Sequence, residues 1–390
     1  MRRNLYELDA DGLASWLSQH KEQPFRAGQI LGWAYQKGAA SFEEMTDLPQ
    51  ALREGLAQAF EIGPSPIAAM SEGHDTVKLL LDLPRGGQVE CVRIKMGHTY
   101  TACLSTQVGC SMGCIFCATG QHECERSLKV DEMVGQVISL GRLPTPLAPL
   151  PRGRGETAPA TASSPPGSPA PALSGRLGEG AKWQDAVRIS NVVFMGMGEP
   201  FMNYANLVET VRRLIDKRLF GMSPSRITVS TVGIVPAIKK YAHEGLPTEL
   251  TISLNAPNDK LRKKLMPGST WTIAEIMEAC REYTEANHGQ PVTFAYVLIQ
   301  DVNDLLDHAR ELAQLLRRQP HHVNVIPLNP VSHTGLHAPD KARAKAFVDH
   351  CGRFGLNVSL RRSKGAEVDA ACGQLRGTVE EVGIGEAGAA

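Results

Sequence analysis

Residues 100–117 have the sequence YTACLSTQVGCSMGCIFC, in which a short β-rich run leads into three closely spaced cysteines. Cys110, Cys114 and Cys117 have the spacing C-x3-C-x2-C, which offers three thiolates to an iron–sulfur cluster whose four irons need ligands. A cluster with three protein ligands leaves one iron open for a substrate, much as a catalytic zinc with three protein ligands keeps one position free. The stretch therefore predicts a strand followed by a cluster-binding loop.

A structural zinc site is the alternative interpretation of these cysteines. Structural zinc sites usually combine two short cysteine pairs, or a cysteine pair with a histidine pair. The sequence has nine cysteines but no second C-x2-C run. The spacing therefore favours a cluster over zinc. We expect three other cysteines, Cys91, Cys280 and Cys351, to be small buried apolar residues.

Length and charge limit the class of protein. The chain has 390 residues, which predicts two or three structural units, and its 41 basic and 41 acidic side chains cancel. A neutral chain has no global field that attracts nucleic acid, so an RNA partner would have to be recognised locally. The sequence lacks an apolar run of membrane-spanning length and the spread of cysteines typical of secreted disulfide scaffolds. We expect a soluble protein of the cytoplasm, or of an organelle if a targeting peptide preceded this sequence.

Hydrophobic periodicity divides the chain into parts. Residues 1–62 carry apolar side chains at helical spacing and predict a small helical domain. Residues 63–98 contain two alternating runs around a Pro-Arg-Gly-Gly turn and predict a β-hairpin extension. Residues 99–375 alternate β-rich and helical stretches, which predicts an α/β core of about six repeats, an incomplete (βα)6 barrel. Residues 376–390 form a C-terminal tail.

The barrel prediction rests on a regular series of elements. The strand candidates are 100–106, 189–195, 226–231, 248–254, 292–299, 322–327 and 356–361. The helix candidates are 129–142, 203–218, 234–243, 272–287, 303–318 and 339–353. Residues 143–182 interrupt the series, and their richness in Pro, Gly, Ala and Ser predicts a disordered insertion without a catalytic role. A polyproline arm that docks a partner is the alternative, although no repeated P-x-x-P register occurs.

Polar residues follow several predicted strands, where barrels carry their catalytic groups. Gly198 and Glu199 follow the second strand, Ser230 the third, 253–255 the fourth and Asn329 the sixth. Glycine lets the backbone approach a ligand, and a carboxylate accepts hydrogen bonds from an ammonium group or ribose hydroxyls. Each residue alone is also consistent with a turn or a helix cap. Together they predict one binding site at the mouth of the barrel.

Four stretches resemble the radical S-adenosylmethionine (SAM) rRNA adenine methyltransferases, the RlmN/Cfr family. They are 103–117 (CLSTQVGCSMGCIFC), 196–200 (GMGEP), 253–259 (SLNAPND) and 369–375 (DAACGQL). The resemblance covers nearly the whole chain apart from the insertion. It implies a radical SAM barrel with a 4Fe-4S cluster on the three cysteines of the C-x3-C-x2-C motif. It also implies that SAM contacts the following residues: Gly198, Glu199, Ser230, Ser253, Leu254, Asn255 and Asn329.

The resemblance assigns chemical roles to three further residues. The family methylates C2 of adenine, an electron-poor carbon that requires a carbon radical. Cys372 would take a methyl group from one SAM, and a second SAM on the cluster would supply the 5′-deoxyadenosyl radical that activates it for addition to the base. Cys103 would then attack the sulfur of Cys372 and release the RNA, leaving a disulfide. Glu90 would accept the C2 proton, and an exposed strand carboxylate is its alternative interpretation.

The implied partners are 23S rRNA, tRNA as a candidate second substrate, and an electron donor such as flavodoxin or ferredoxin, with no membrane and a monomeric enzyme. Two positions depart from the family. Residues 121–124 are Gln-His-Glu-Cys where relatives usually have Gln-x-Gly-Phe, and Asn255 stands where many relatives have histidine. His122 and Cys124 raise the alternative of a zinc site.

Two other functions are compatible with the sequence. Methylation at C8 of the same adenine would use the same cysteines. A non-catalytic RNA-binding protein with a structural metal site would keep the metal ligands but would not need Cys103 or Cys372.

Overall fold

The computed structural model describes residues 2–143, 187–331, 334–361 and 363–376. From residue 144 onward the predicted insertion lies outside the described residues, and so does the predicted tail after Arg376. A ten-stranded sheet organises the described part of the chain.

Residues 2–62 form a helical unit with its own apolar cluster. It contains the helices α1 (Ala10–Gln19), α2 (Arg26–Leu31) and α3 (Gln50–Ala59), and a short parallel pair, β1 (Arg3–Asn4) with β2 (Phe60–Glu61). Asp9 begins α1 by accepting a hydrogen bond of 2.7 Å from the backbone N–H of Gly12. Val134 and Ile138 of the next helix join the apolar cluster, so this unit packs directly on the barrel.

The predicted hairpin is present but belongs to a larger antiparallel arrangement. Its strands are β4 (Thr76–Asp82) and β5 (Gln88–Met96), preceded by β3 (Ile67–Glu72). The strand β6 (Thr99–Cys103) pairs antiparallel with β5 and parallel with the next barrel strand. The hairpin is therefore continuous with the sheet of the barrel.

Among the residues that the structure describes, seven parallel strands build the barrel. After β6 they are β9 (Ile189–Phe194), β10 (Ile227–Thr231), β11 (Glu249–Ser253), β12 (Val292–Leu298), β13 (His321–Pro327) and β14 (Val358–Leu360). A small antiparallel pair, β7 (Gln107–Val108) with β8 (Arg126–Ser127), encloses the cysteine motif. The helices are α4 (Val130–Arg142), α5 (Tyr204–Ile215), α6 (Val235–Ala242), α7 (Asp259–Leu265), α8 (Ile273–Ala286), α9 (Leu306–Leu316) and α10 (Lys341–Arg353).

The sheet order is β14-β13-β12-β11-β10-β9-β6-β5-β4-β3, so in the described residues β14 and β3 are the outer strands and the barrel does not close. This confirms the predicted incomplete α/β barrel. The helix α7 was not among the predicted helices. Its N-terminus is capped by Asn258, which accepts a 3.0 Å hydrogen bond from the Leu261 N–H. None of the helices that the structure describes combines the length and the apolar character needed to cross a membrane.

Candidate active site

A cavity of about 170 Å³ lies at the carboxyl ends of the parallel strands, and we call it the first cavity. Cys110, Cys114 and Cys117 line it. The predicted ligand-contacting residues that also line it are Gly198, Glu199, Ser230, Ser253, Asn255 and Asn329. Leu254 is the exception, since its side chain is fully buried and is absent from the lining. The structure therefore brings the strand-end residues and the cysteine motif to one place, as parallel strands do.

The cysteine loop has a fixed backbone. Gly109 has φ +75°, and a Cβ there would lie 1.9 Å from the carbonyl oxygen of Glu123, so only glycine fits. The N–H of Cys110 donates 3.2 Å to the carbonyl of His122, and the N–H of Ile115 donates 3.1 Å to the carbonyl of Leu265 in α7. These contacts hold the loop between the β7–β8 pair and the helix that follows β11.

The donor set of the loop fits an iron–sulfur cluster. Burial raises the pKa of Cys110 to about 12 and also raises those of Cys114 and Cys117, so the thiols are protonated until a metal offsets the desolvation. The backbone N–H of Met112 lowers the pKa of Cys110, as a donor to a thiolate does. Such N–H donors to sulfur are one of the means by which proteins tune cluster potentials.

The arrangement of the three cysteine side chains bears on which metal group they could hold. In the described ranges, no three His, Cys, Asp or Glu side chains form a group that could hold one metal ion. A cubane does not require three side chains to converge on one ion, because each thiolate binds a different iron. The residues present therefore suit a cluster with three thiolate ligands.

Glu199 is a buried acceptor in the first cavity. Its side chain accepts hydrogen bonds from the backbone N–H groups of Phe201 (3.0 Å) and Val232 (2.8 Å), one on each oxygen. Each oxygen keeps further acceptor capacity for a ligand. Burial raises the pKa of Glu199 to about 7, so its ionisation falls near neutral pH.

The glycines of the GMGEP stretch are needed for packing within the protein. A Cβ on Gly196 would lie 2.7 Å from the backbone of Leu104, and one on Gly198, where φ is +96°, would lie 2.6 Å from Gln107. These glycines let the end of β9 pass close to the segment that follows β6. Their predicted role, close approach to a ligand, is thus joined by a packing role that the sequence did not indicate.

Asn255 has a left-handed backbone, with φ +60°. Its side-chain oxygen accepts 2.9 Å from the Val297 N–H, and its side-chain nitrogen lies 3.3 Å from the sulfur of Met266. Asparagine adopts this conformation more readily than most residues. Local hydrogen bonds therefore hold Asn255 in this conformation.

A second cavity, of about 850 Å³, is lined by the two cysteines that are predicted from the sequence to react with each other. Cys103, at the end of β6, and Cys372 both line it, and it reaches Arg226 and Glu249 at the amino ends of β10 and β11. Four residues line both cavities: Met195, Ile326, Arg361 and Cys372. Cys372 therefore stands at the junction between the space of the cluster motif and the space of Cys103.

The surroundings of Cys103 disfavour its thiolate. Burial and the nearby Cys372 thiol raise the pKa of Cys103 to about 12, although the backbone at Met195 and the guanidinium of Arg361 act to lower it. Cys103 is buried, whereas Cys372 is exposed. The pair thus combines a sheltered thiol with an accessible one.

The loop that carries Cys372 is fixed on two sides. Asn329 donates a 2.9 Å hydrogen bond from its side-chain amide to the carbonyl of Cys372. The Ala118 N–H donates 2.7 Å to the carbonyl of Gly373, and the Thr119 hydroxyl donates 2.6 Å to the carbonyl of Leu375. Ala118 and Thr119 directly follow the cysteine motif, and this contact was missed because nothing in the sequence links segments so far apart.

Glu90 is buried in β5, with 6% of its surface exposed, so its interpretation as an exposed strand carboxylate is wrong. Its side chain pairs with the ammonium of Lys78 at 2.7 Å and accepts 2.5 Å from the backbone N–H of Arg376. Glu90 lines neither cavity. The structure thus places this predicted proton acceptor behind the Cys372 loop.

The remaining cysteines, which line neither cavity, differ in how deeply they are buried. Cys91, Cys280 and Cys351 are fully buried, which confirms their interpretation as small apolar residues. Cys124 is half-buried on the β7–β8 side of the cysteine loop, and its thiol raises the pKa of Cys110, so it lies near the motif.

Known proteins resemble the chain over nearly its whole length. Residues 3–62 match the family described as the ribosomal RNA large subunit methyltransferase N-terminal domain, and residues 176–316 match the radical SAM superfamily. A crystal structure of a radical SAM methyltransferase from Sphaerobacter thermophilus is 36% identical, with a TM-score of 0.82 over 96% of this chain and 100% of that one.

Two curated relatives carry the name probable dual-specificity RNA methyltransferase RlmN. The protein from Moorella thermoacetica is 42% identical over 93% of both chains. The protein from Rhodopirellula baltica is 38% identical over 98% of this chain and 92% of its own. Identity at this level over nearly the full length shows that the chain belongs to the RlmN family of radical SAM RNA methyltransferases.

Proposed function

We propose that this protein methylates C2 of an adenine in 23S rRNA, with tRNA as a second substrate, by way of S-methylated Cys372. One observation carries the proposal: Cys372 lines both the cavity of the C-x3-C-x2-C cysteines and the cavity of Cys103. A thiol at that junction can receive a group on one side and release it on the other.

Membership of the radical SAM superfamily implies a 4Fe-4S cluster and SAM as cofactors. Cys110, Cys114 and Cys117 would hold the cluster, and Gly198, Glu199, Ser230, Ser253, Asn255 and Asn329 would bind SAM. When bound, these groups supply a methyl group and one-electron chemistry, and we propose that two SAM molecules are used per turnover.

Cys372 acts in the proposal as the methyl carrier. Its thiol is exposed, and hydrogen bonds from Asn329 and Ala118 to the carbonyls of Cys372 and Gly373 fix its backbone. Fixing the backbone lowers the entropy lost when the sulfur meets its reaction partner. The loop therefore presents one thiol in a defined position to both cavities.

Cys103 acts as the resolving thiol. Its sulfur bonds to the sulfur of Cys372, the bond from that sulfur to the carbon on the base breaks, and the carbon takes the electron pair and a proton. The result is methylated RNA and a Cys103–Cys372 disulfide, which needs two electrons for the next turnover. The guanidinium of Arg361 lowers the pKa of Cys103 and so assists formation of its thiolate, which burial opposes.

Glu90 is our proposed acceptor of the C2 proton. Its carboxylate is shielded from solvent and held by Lys78 and by the N–H of Arg376, which follows Cys372 in the same segment. Loop movement on RNA binding would be needed to bring it to the base. We further propose a cytoplasmic monomer that receives electrons from flavodoxin or ferredoxin.

Mass spectrometry of rRNA and tRNA nucleosides, from cells with and without the gene, tests this function. Loss of 2-methyladenosine on deletion supports it, and loss of 8-methyladenosine would transfer the activity to C8. Unchanged nucleosides would favour the non-catalytic RNA-binding alternative. That alternative also predicts that the Cys103→Ala and Cys372→Ala variants complement the deletion strain and return it to the wild-type phenotype.

A further inference from the structure

Residues 363–376 lie along the antiparallel strands that precede the barrel. At the start of this segment, the ammonium of Lys364 donates 2.9 Å to the carboxylate of Asp75 and 2.8 Å to the carbonyl of Lys95. At its end, the N–H of Arg376 donates 2.5 Å to Glu90. The segment that carries Cys372 is thus attached to β4, β5 and the turn before β4.

Lys78 and Glu90 form a buried ion pair beneath this segment. Lys78 pairs in register with Val92 on β5, so Glu90 is its diagonal neighbour on the same face of the sheet. The Nζ–Oε1 distance is 2.7 Å, and the two side chains are 14% and 8% exposed. Removal of either member of so buried a pair is costly in free energy, because the other charge stays buried without its ion-pair partner.

Both members of the pair also bind the Cys372 segment. The ammonium of Lys78 donates 3.1 Å to the carbonyl of Asp369, and Glu90 accepts from the N–H of Arg376. Asp369 has a left-handed backbone, with φ +50°, at the point where the segment turns toward Cys372. The ion pair therefore holds the chain on both sides of Cys372.

We propose that Lys78 is a positioning residue for Cys372, which acts through Asp369 and Glu90 to keep the Cys372 thiol within reach of Cys103. The proposal rests on the proposed function, because it concerns the disulfide between these two cysteines. No residue of the cofactor sites takes part in this arrangement. The effect of Lys78 can therefore be measured directly, as a change in the equilibrium between the Cys103–Cys372 disulfide and the two thiols.

The experiment measures the equilibrium between the Cys103–Cys372 disulfide and the two thiols in the full-length, cluster-loaded protein. Anaerobic dithiothreitol buffers set the redox ratio, and mass spectrometry of linked and alkylated peptides gives the disulfide fraction. Lys78→Met should lower the effective concentration of the two thiols about tenfold, since hydrogen bonds to charged groups are lost. Lys78→Arg should restore most of it, because the cation remains.

The matched control is Lys345→Met, which removes an exposed ion pair with Asp349 on α10 and should leave the disulfide equilibrium unchanged. Thermal unfolding of every variant separates positioning from stability, since a purely structural role would lower the melting temperature without changing the disulfide constant. If Lys78→Met does not fold, the Lys78→Met/Glu90→Gln double variant removes both buried charges. It should show the same loss of effective concentration.

The outcomes separate this proposal from the proposed function. A wild-type protein that never forms the disulfide would overturn the resolving role of Cys103 and this inference with it. A wild-type protein that forms it, with an equal constant in the Lys78→Met variant, would overturn the positioning role alone.

Discussion

The side-chain amide of Asn329 lies 2.9 Å from the carbonyl oxygen of Cys372, to which it donates a hydrogen bond. This contact joins the segment after β13 to the loop that carries the proposed methyl carrier. Asn329 also lines the first cavity. One side chain therefore connects the proposed SAM site to the position of the reactive thiol.

Loss of this amide should loosen the Cys372 loop. In Asn329→Ala the carbonyl of Cys372 loses a partner worth about 1 kcal/mol, so local opening should increase about fivefold. Hydrogen exchange of residues 370–376, followed by mass spectrometry, measures this change. Asn206→Ala removes a comparable amide contact on α5 and should leave exchange in that segment unchanged. Equal exchange in wild-type and Asn329→Ala protein would contradict the prediction.

Replacement of the proposed resolving thiol should trap RNA on the protein. In Cys103→Ala the bond from Cys372 to the base cannot be exchanged for a disulfide, so a covalent RNA adduct should accumulate and free methylated RNA should disappear. Denaturing gels and mass spectrometry of the Cys372 peptide detect it. The control is Cys91→Ala, which removes a fully buried thiol from the neighbouring strand and lines neither cavity. Release of methylated RNA at the wild-type rate by Cys103→Ala would exclude the resolving role.

Each cysteine of the C-x3-C-x2-C motif should be required for the cluster. Cys110→Ala, Cys114→Ala and Cys117→Ala should each lose the brown colour and the iron of anaerobically reconstituted protein, because a cubane with two protein ligands is poorly held. Cys124→Ala should retain both, although Cys124 lies near the motif. Iron and sulfide analysis with visible spectroscopy provides the measurement. A zinc-containing colourless wild-type protein would support the structural metal site instead.

Binding of SAM should depend on pH through Glu199. The pKa of this buried carboxyl is raised to about 7, so it is mainly protonated below that value and mainly ionised above it. The carboxylate is the stronger acceptor for ammonium and hydroxyl donors, so affinity should increase about tenfold from pH 6 to pH 8. Equilibrium dialysis of reconstituted protein measures it. Glu199→Gln should bind more weakly and without this pH step, and a step that persists in the variant would assign it to another group.

The sequence predicted the barrel closely because its strands are buried. The predicted strand at 292–299 is found at Val292–Leu298, and that at 189–195 is found at Ile189–Phe194. Parallel strands covered by helices are rich in apolar and β-branched residues, and this pattern is local. The short α7 has few apolar residues, so periodicity did not reveal it, although Asn258 and Asp259 are typical of a helix start.

The sequence predicted many residues of the candidate site, but not the hydrogen bonds that join them to distant segments. Cysteine spacing and strand-end polar residues identified the three cysteines and several of the polar residues that line the first cavity. The contacts of the Cys372 loop with Asn329 and Thr119 join residues far apart in sequence, and no local pattern encodes them. The burial of Glu90 was unexpected for the same reason, since its partners are Lys78 and a backbone N–H 286 residues away.

That separation bears on how the protein is made. The hydrogen bond between Glu90 and the Arg376 N–H cannot form until the ribosome has synthesised almost all of the described chain, long after β5 has emerged. Contacts of such high sequence separation form slowly and late. The Cys372 segment, with the proposed methyl carrier, should therefore be the last part of the fold to dock. A nascent or truncated chain would have the C-x3-C-x2-C loop but no Cys372 thiol placed beside it.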